Sequence, residues 1–273
     1  MVDYTIGDGY SVYNGDCLEV MEKDLKKVKV DLVITSPFYG LGKNPYHGKK
    51  ANNSLYNNFN DDMPEDEYLI FMLKVFMQYE RLLVNDGVIL WNMSYSSKNA
   101  ILPYKLMVEI DRNSRFTVRD TIIWKKSHAN TFQTSPNNLS RICELIFVIA
   151  RKGVVFKTNK PKGLYNEKLK QQFYKDQRNF IKTPGTRDIH KNIKHKATFP
   201  LRLVYQLLEM YARPGSVVMD NFMGLGTTGR ACINKGFEFI GIEIDELYYK
   251  YALTWLNDDD KDQQWALFGY NTD

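Results

Sequence analysis

The chain has 273 residues, 44% of them hydrophobic and 14% aromatic, which is enough apolar material for one or two domains with a large core and excludes a disordered polypeptide. No run approaches the ~18 consecutive apolar residues of a membrane span, and the opening MVDYTIGDGY has no basic stretch followed by an apolar one, so a cytoplasmic protein is expected. The formal charge of +5 is unevenly spread: residues 151–196 hold fourteen Lys/Arg against three acids, a net +11 that leaves −6 for the remainder.

In chain order, the first strand candidate, 10–15, runs into Asp16. The second, 31–35, is apolar, ends at Thr35 and stops at Ser36-Pro37-Phe38-Tyr39. Residues 40–64, rich in Asn, Gly and Lys, break the rhythm as a long loop. A helix follows over 65–83, with Tyr68, Met72, Val75, Tyr79 and Leu82 on one face at three-to-four spacing. Strands are predicted at 87–93, 116–124 and 144–150, then the basic segment, then a helix over 201–211 that aligns Leu201, Val204, Leu208 and Tyr211. Two more strands, 216–220 and 237–244, flank the Gly-rich turn Gly224-Leu225-Gly226-Thr227-Thr228. Strand-like and helix-like stretches alternate throughout, the pattern of an α/β protein: a seven-stranded, mostly parallel sheet, a last antiparallel strand, and helices on both faces.

Three sites carry chemistry. The strand ending in Asp220, the glycine turn and the next strand's Glu243 form an adenosine-cofactor pattern: glycine lets a ligand approach the backbone, and a carboxylate about twenty residues on can accept both ribose hydroxyls. At Ser36-Pro37, proline fixes its own backbone and restrains its predecessor, so nearby carbonyls can form a rigid array of acceptors. An exocyclic amine on a nucleobase needs such acceptors, because two hydrogen bonds to the NH₂ favour a pyramidal nitrogen whose lone pair can attack. Phe38 and Tyr39 are placed to stack an extruded base. The basic segment is a candidate nucleic-acid face through Lys168, Lys170 and Lys175, with Lys43, Lys49 and Lys50 of the early loop as further phosphate contacts. Cys17, Cys143 and Cys232 are odd in number and form no C-x-x-C pair, so neither disulfides nor a metal site is expected.

These motifs closely resemble the amino-methylating DNA methyltransferases, which act on cytosine N4 or adenine N6. Their catalytic motif reads (Ser, Asp or Asn)-Pro-Pro-(Tyr or Phe), and their cofactor loop reads Asp-Pro-Phe-x-Gly-Ser-Gly-Thr-Thr. The catalytic strand precedes the cofactor loop here, as in the circularly permuted β class. The resemblance covers about residues 9–256 and implies a Rossmann-like methyltransferase fold. It implies S-adenosylmethionine as methyl donor and double-stranded DNA as substrate. A cognate restriction endonuclease, a monomeric or homodimeric state, and a bacterial, archaeal or phage source also come with it. It assigns Asp16 to the cofactor adenine and Glu243 to the ribose. Asp220, Phe222, Gly224, Gly226, Thr227 and Thr228 go to the methionine end, with Thr35 and the segment Thr198-Phe199-Pro200 nearby. Residues 151–194 occupy the place of the target-recognition insertion, with 1–150 and 195–273 forming the catalytic domain. The chain departs from the motifs at Phe38 and Asn221, each in place of a proline, and at Leu225 in place of serine. Ser36 favours cytosine N4 as the acceptor, with adenine N6 as the alternative.

Competing readings meet obstacles on the same residues. A nicotinamide-dependent dehydrogenase would place its glycine turn early, whereas only 47 residues follow Gly226. Glutamine and RNA methyltransferases with a similar motif usually run cofactor loop first. A cytosine-C5 enzyme needs a nucleophilic thiolate, typically after proline, and no cysteine here follows one. An inactive DNA-binding subunit is countered by the intact Ser36-Pro37 and cofactor-loop residues.

Overall fold

The structure, a computed structural model, describes residues 2–38, 63–95, 99–127, 139–156, 158–183 and 199–257. In chain order the elements are β1 (Asp3–Gly7), β2 (Tyr10–Asn14), α1 (Cys17–Lys23), β3 (Val30–Thr35), α2 (Glu65–Leu82), β4 (Leu83–Met93), α3 (Leu102–Asn113), β5 (Phe116–Lys126) and β6 (Cys143–Arg151). Then follow β7 (Lys162–Asn166), β8 (Gln171–Tyr174), β9 (Phe180–Thr183), α4 (Leu201–Tyr211), β10 (Val217–Asp220), α5 (Thr227–Lys235), β11 (Glu238–Glu243) and α6 (Glu246–Leu256).

Nine strands form the main sheet in the order β1-β2-β11-β10-β3-β4-β6-β5-β9. All seven expected strands are in it. The additions are β1, an antiparallel edge that hairpins onto β2, and β9, which pairs parallel with β5 at the other edge. Among the seven expected strands the antiparallel one is β6, which lies inside the sheet between β4 and β5 and runs against both. Its apolar face alternation could not show this, because a strand buried on both faces reads the same in either direction.

Period-two alternation sorts side chains into two cores. Val12, Leu32, Ile34, Val88, Leu90, Ile146 and Val148 face one side, while Val33, Ile89, Trp91, Phe147 and Ile149 face the other. Helices α4, α5 and α6 pack against each other over the first face, and α1, α2 and α3 over the second. On α2 the buried positions are Tyr68, Met72, Val75, Phe76, Tyr79 and Leu82, the predicted stripe widened by Phe76.

This arrangement fixes where a ligand can bind. From β10 the chain passes through α5 on the first face to β11, and from β3 it passes through α2 on the opposite face to β4. Neighbouring strands whose connections leave to opposite faces open a crevice at their carboxyl ends, and here those strands are β10 and β3. The crevice therefore joins a strand from the first fifth of the chain to one from the last quarter.

Within residues 151–196, β7 and β8 form a separate two-stranded hairpin, while β9 returns to the main sheet. The basic segment thus stands apart through its hairpin but is anchored through β9.

Candidate active site

The carboxyl end of β10 carries Asp220, which is 3% exposed and receives three hydrogen bonds. Thr35 Oγ1 donates to Oδ1 at 2.7 Å, Thr228 Oγ1 to Oδ2 at 2.8 Å, and the Phe222 amide to Oδ1 at 3.2 Å. One carboxylate thus fastens the end of β3, the start of α5 and the intervening turn. Burial pushes its pKa up to about 6, and the Thr35 and Thr228 hydroxyls and the Phe222 amide hold it from rising further.

Glu243, at the carboxyl end of β11, does the same for the turn. The Gly224 amide donates to Oε2 at 2.7 Å and the Asp245 amide to Oε1 at 2.8 Å. Burial raises its pKa to about 7, against the lowering effect of those two amides. Asp245 in turn caps α6 by accepting from the Leu247 and Tyr248 amides. Gly224 and Gly226 take left-handed conformations, φ 56° and 82°. A Cβ on Gly226 would lie 3.1 Å from Ala252 of α6, so this glycine serves close helix packing as well as the turn.

Asp16 follows β2, next to β11 in the sheet, and caps α1: its Oδ1 accepts from the Leu18 and Glu19 amides at 2.9 and 3.0 Å. The Gly15 amide donates to the Glu243 carbonyl at 3.0 Å, which brings Asp16 beside Glu243. Adjacent strands β2, β11, β10 and β3 therefore present Asp16, Glu243, Asp220 and Ser36 in a row along one edge.

At the end of β3, Ser36 is half-buried, whereas Pro37 and Phe38 are buried. Phe38, expected to stack a base, is 6% exposed and packs within the core, roughly perpendicular to Tyr68 at 5.4 Å and Phe222 at 6.1 Å and tilted to Phe71 at 5.7 Å. The Phe38 carbonyl accepts from the Tyr68 hydroxyl at 3.1 Å, which holds the motif backbone. Phe199 is likewise a core ring, edge-on to Trp124 at 5.9 Å, and Pro200 is the N-cap position of α4. Tyr39, Lys43, Lys49, Lys50 and Thr198 lie outside the described residues.

Two departures from the motifs acquire reasons. Asn221 is buried, and its Oδ1 accepts from the Tyr79 hydroxyl of α2, so a side-chain bond restrains the turn where the related motif has proline. Leu225 is 2% exposed and adds apolar contact where a serine would bring a hydroxyl to be satisfied.

Sequence reading missed one group. Asn92 of β4 donates through Nδ2 to Ser36 Oγ at 3.3 Å and to Glu144 Oε2 of β6 at 2.8 Å, and Glu144 Oε1 pairs with the Lys126 ammonium at the end of β5. Its signal was present: three polar residues at the ends of three apolar strands, in Trp91-Asn92-Met93, Cys143-Glu144-Leu145 and Lys125-Lys126.

Lys168, Lys170 and Lys175 are all exposed, the first two at the tip of the β7–β8 hairpin. The Leu169 amide donates to Asn166 Oδ1 and Lys170 adopts φ 47°, so the tip is a defined turn.

The sequence profile of the N6/N4 DNA methylase family matches residues 30–254, most of the chain and every element just described from β3 to α6. The chain belongs to this family of DNA methylases. It is accordingly an S-adenosylmethionine-dependent enzyme that methylates an amino group of a DNA base. Among relatives, the DNA adenine methyltransferase YhdJ of Escherichia coli is 23% identical over 89% of this chain and 81% of its own length. The type II methyltransferase M.MthZI of Methanothermobacter thermautotrophicus is 26% identical over 81% of this chain and 70% of its own. Among solved structures, the cytosine-N4-specific PvuII DNA methyltransferase superposes with a TM-score of 0.67 at 17% identity, covering 95% of this chain and 90% of that one. The M1.HpyAVI complex with S-adenosylmethionine gives 0.64 at 24% identity, covering 91% and 100%. These likenesses establish the fold. No helix among the described residues is long and apolar enough to cross a membrane.

Proposed function

We propose that this DNA methylase acts on cytosine at N4, and that the β10–β3 crevice is where methyl donor and base meet. The observation that carries the base assignment is Ser36, a hydroxyl at the mouth of the crevice where adenine enzymes more often present aspartate or asparagine. A hydroxyl oxygen and the Pro37 carbonyl can each accept a hydrogen bond from the exocyclic NH₂, which localises the nitrogen lone pair toward an electrophile. With Phe38 committed to the core, base stacking falls to Tyr39.

S-adenosylmethionine supplies a methyl group on a positively charged sulfur. Features of four residues support its fit to this chain. Thr227 Oγ1, at the start of α5, is buried with no partner among the described residues, and it marks a polar group that a ligand at the turn can satisfy. Asp16 uses only Oδ1 to cap α1, which leaves Oδ2 for an amine such as that of adenine. A carboxylate has about four acceptor sites, so Glu243 can hold the turn and accept ribose hydroxyls as well. Asp220 places buried negative charge beside the turn assigned to the methionine end, where the donor carries its positive sulfur.

The β7–β8 hairpin, with residues 151–194 around it, is the DNA-reading part, since a two-stranded ribbon of this kind fits a major groove and its lysines can meet phosphates. Relatives such as M.MthZI are named type II methyltransferases, so a restriction endonuclease of the same specificity is the partner to seek. Relatives from Escherichia coli and Methanothermobacter thermautotrophicus support a cytoplasmic enzyme of bacterial, archaeal or phage origin. The base is tested by digesting methylated DNA to nucleosides and separating them by mass spectrometry. N4-methylcytosine is the expected product, and N6-methyladenine alone would overturn the assignment.

A further inference from the structure

The polar row does not stop at Ser36. In sheet order β3, β4, β6 and β5, one edge of the sheet carries Ser36, Asn92, Glu144 and Lys126, with Glu144 at the amino end of the antiparallel β6 and the other three at or just beyond the carboxyl ends of their strands, each in contact with the next. Asn92 is 1% exposed and Glu144 6%. A row of this kind inside an apolar sheet costs desolvation at every member, so each polar atom needs a partner of the right kind.

The partners fix the chemistry. Glu144, paired with the Lys126 ammonium, is an acceptor only. The Asn92 atom facing it must therefore be the NH₂ group, and the same NH₂ turns its other hydrogen toward Ser36 Oγ. An amide nitrogen has no usable lone pair, so a proton cannot pass from Ser36 through Asn92 to Glu144. What the row can do is orient: with one Ser36 lone pair taken by Asn92, the O–H and the other lone pair are confined to the two remaining positions on Oγ. Lys126 is itself placed by Trp124, whose ring centroid is 4.9 Å from the ammonium and whose Nε1 donates to Thr183 Oγ1 of β9 at 2.8 Å. The row thus ends on the strand that anchors the recognition hairpin.

We infer that Asn92, held by Glu144 and Lys126, is a positioning residue that aims the Ser36 hydroxyl at the amine of the flipped base. The inference rests on the assignment of Ser36 to that amine.

The test is a double-mutant cycle on the full chain, with kcat and KM measured on DNA and S-adenosylmethionine affinity by calorimetry. Asn92→Ala is expected to lower kcat about ten- to a hundredfold while KM and cofactor affinity change less than about threefold, as for loss of alignment at a reacting centre. Ser36→Ala should cost a similar factor, and the double variant should be no worse than Ser36→Ala. Losses that multiply, or an Asn92→Ala enzyme with wild-type kcat, overturn the positioning role while leaving Ser36 in place. Wild-type kcat in Ser36→Ala removes Ser36 and Asn92 together. Should Asn92→Ala not fold, Glu144→Gln decides: a kcat loss of about three- to tenfold that vanishes in the Ser36→Ala background supports the inference, and an additive or absent loss overturns it.

Discussion

The crevice and the hairpin use polar residues in opposite ways. At the strand ends that form the crevice the acids are committed: Asp220 receives two hydroxyls and an amide, Glu243 two amides, and Asp16 caps a helix. On β7–β8, Lys162, Lys168, Lys170 and Lys175 stand in solvent beside Tyr165, Phe173 and Tyr174, which are 50%, 47% and 54% exposed. Chemistry needs groups that do not move, and each acid of the crevice is a fastener of backbone, as the cofactor role proposed for it requires. The recognition role proposed for the hairpin needs side chains that can adapt to a partner, and a hairpin tied to the sheet through β9 presents its side chains away from those fasteners.

Removing a fastener should therefore damage stability and binding together. Asp220→Ala leaves two buried hydroxyls and an amide without their acceptor, at about 1–3 kcal/mol for each group not re-satisfied. A melting point lower by roughly 10 °C and loss of measurable cofactor binding are expected from scanning calorimetry and titration. An Asp220→Ala protein that melts like the wild type would show that the crevice is less tightly built than its hydrogen bonds indicate.

Glu243→Ala comes next, because only the Gly224 and Asp245 amides are released. Hydrogen bonds to a charged group are worth about 1.5–3 kcal/mol, so cofactor affinity should fall by about one to two orders of magnitude in a folded protein. Calorimetry that finds unchanged affinity would leave Glu243 as a fastener alone.

The same acids make binding sensitive to pH. Burial raises Asp220 to about 6 and Glu243 to about 7, so the folded chain keeps protons that an unfolded one, with ordinary carboxylates near ~4, has released. Their contribution to stability is thus fully present below about pH 4 and is lost as pH rises through about 7, with little change above. A cationic methyl donor favours the ionised forms. Binding at about pH 6.5 should release protons, measurable by titration in buffers of different ionisation enthalpy, and should release almost none at about pH 8.5. Equal proton release at both values would detach these acids from the cofactor.

On the hairpin the expected effect on stability is the smallest. Reversing Lys168, Lys170 and Lys175 singly should leave the melting point within about 1 °C, since exposed substitutions usually change stability by less than ~0.5 kcal/mol. The slope of log affinity for DNA against log salt should fall by about 0.9 for each phosphate that a lysine no longer neutralises. Unchanged slopes in all three variants would move the DNA to another surface.

Much of this was legible in the chain itself. Apolar periodicity located seven strands and the buried stripes of α2 and α4, because alternation and three-to-four spacing are local consequences of which side faces the core. The glycine turn, Glu243 and Ser36-Pro37 were legible as candidates because they sit at strand ends, where the backbone changes direction and the local sequence shows it. The tertiary structure decided what local pattern cannot carry. It put β6 antiparallel between β4 and β5, and brought β10 beside β3 across 185 residues so that Thr35 could bond Asp220. It sent Phe38 into the core, since a ring's neighbours are set by packing and not by its place in a motif. It also joined Ser36, Asn92, Glu144 and Lys126 into one row. Those four residues are scattered from position 36 to 144 and share no spacing, and only the order of strands in the sheet makes them neighbours.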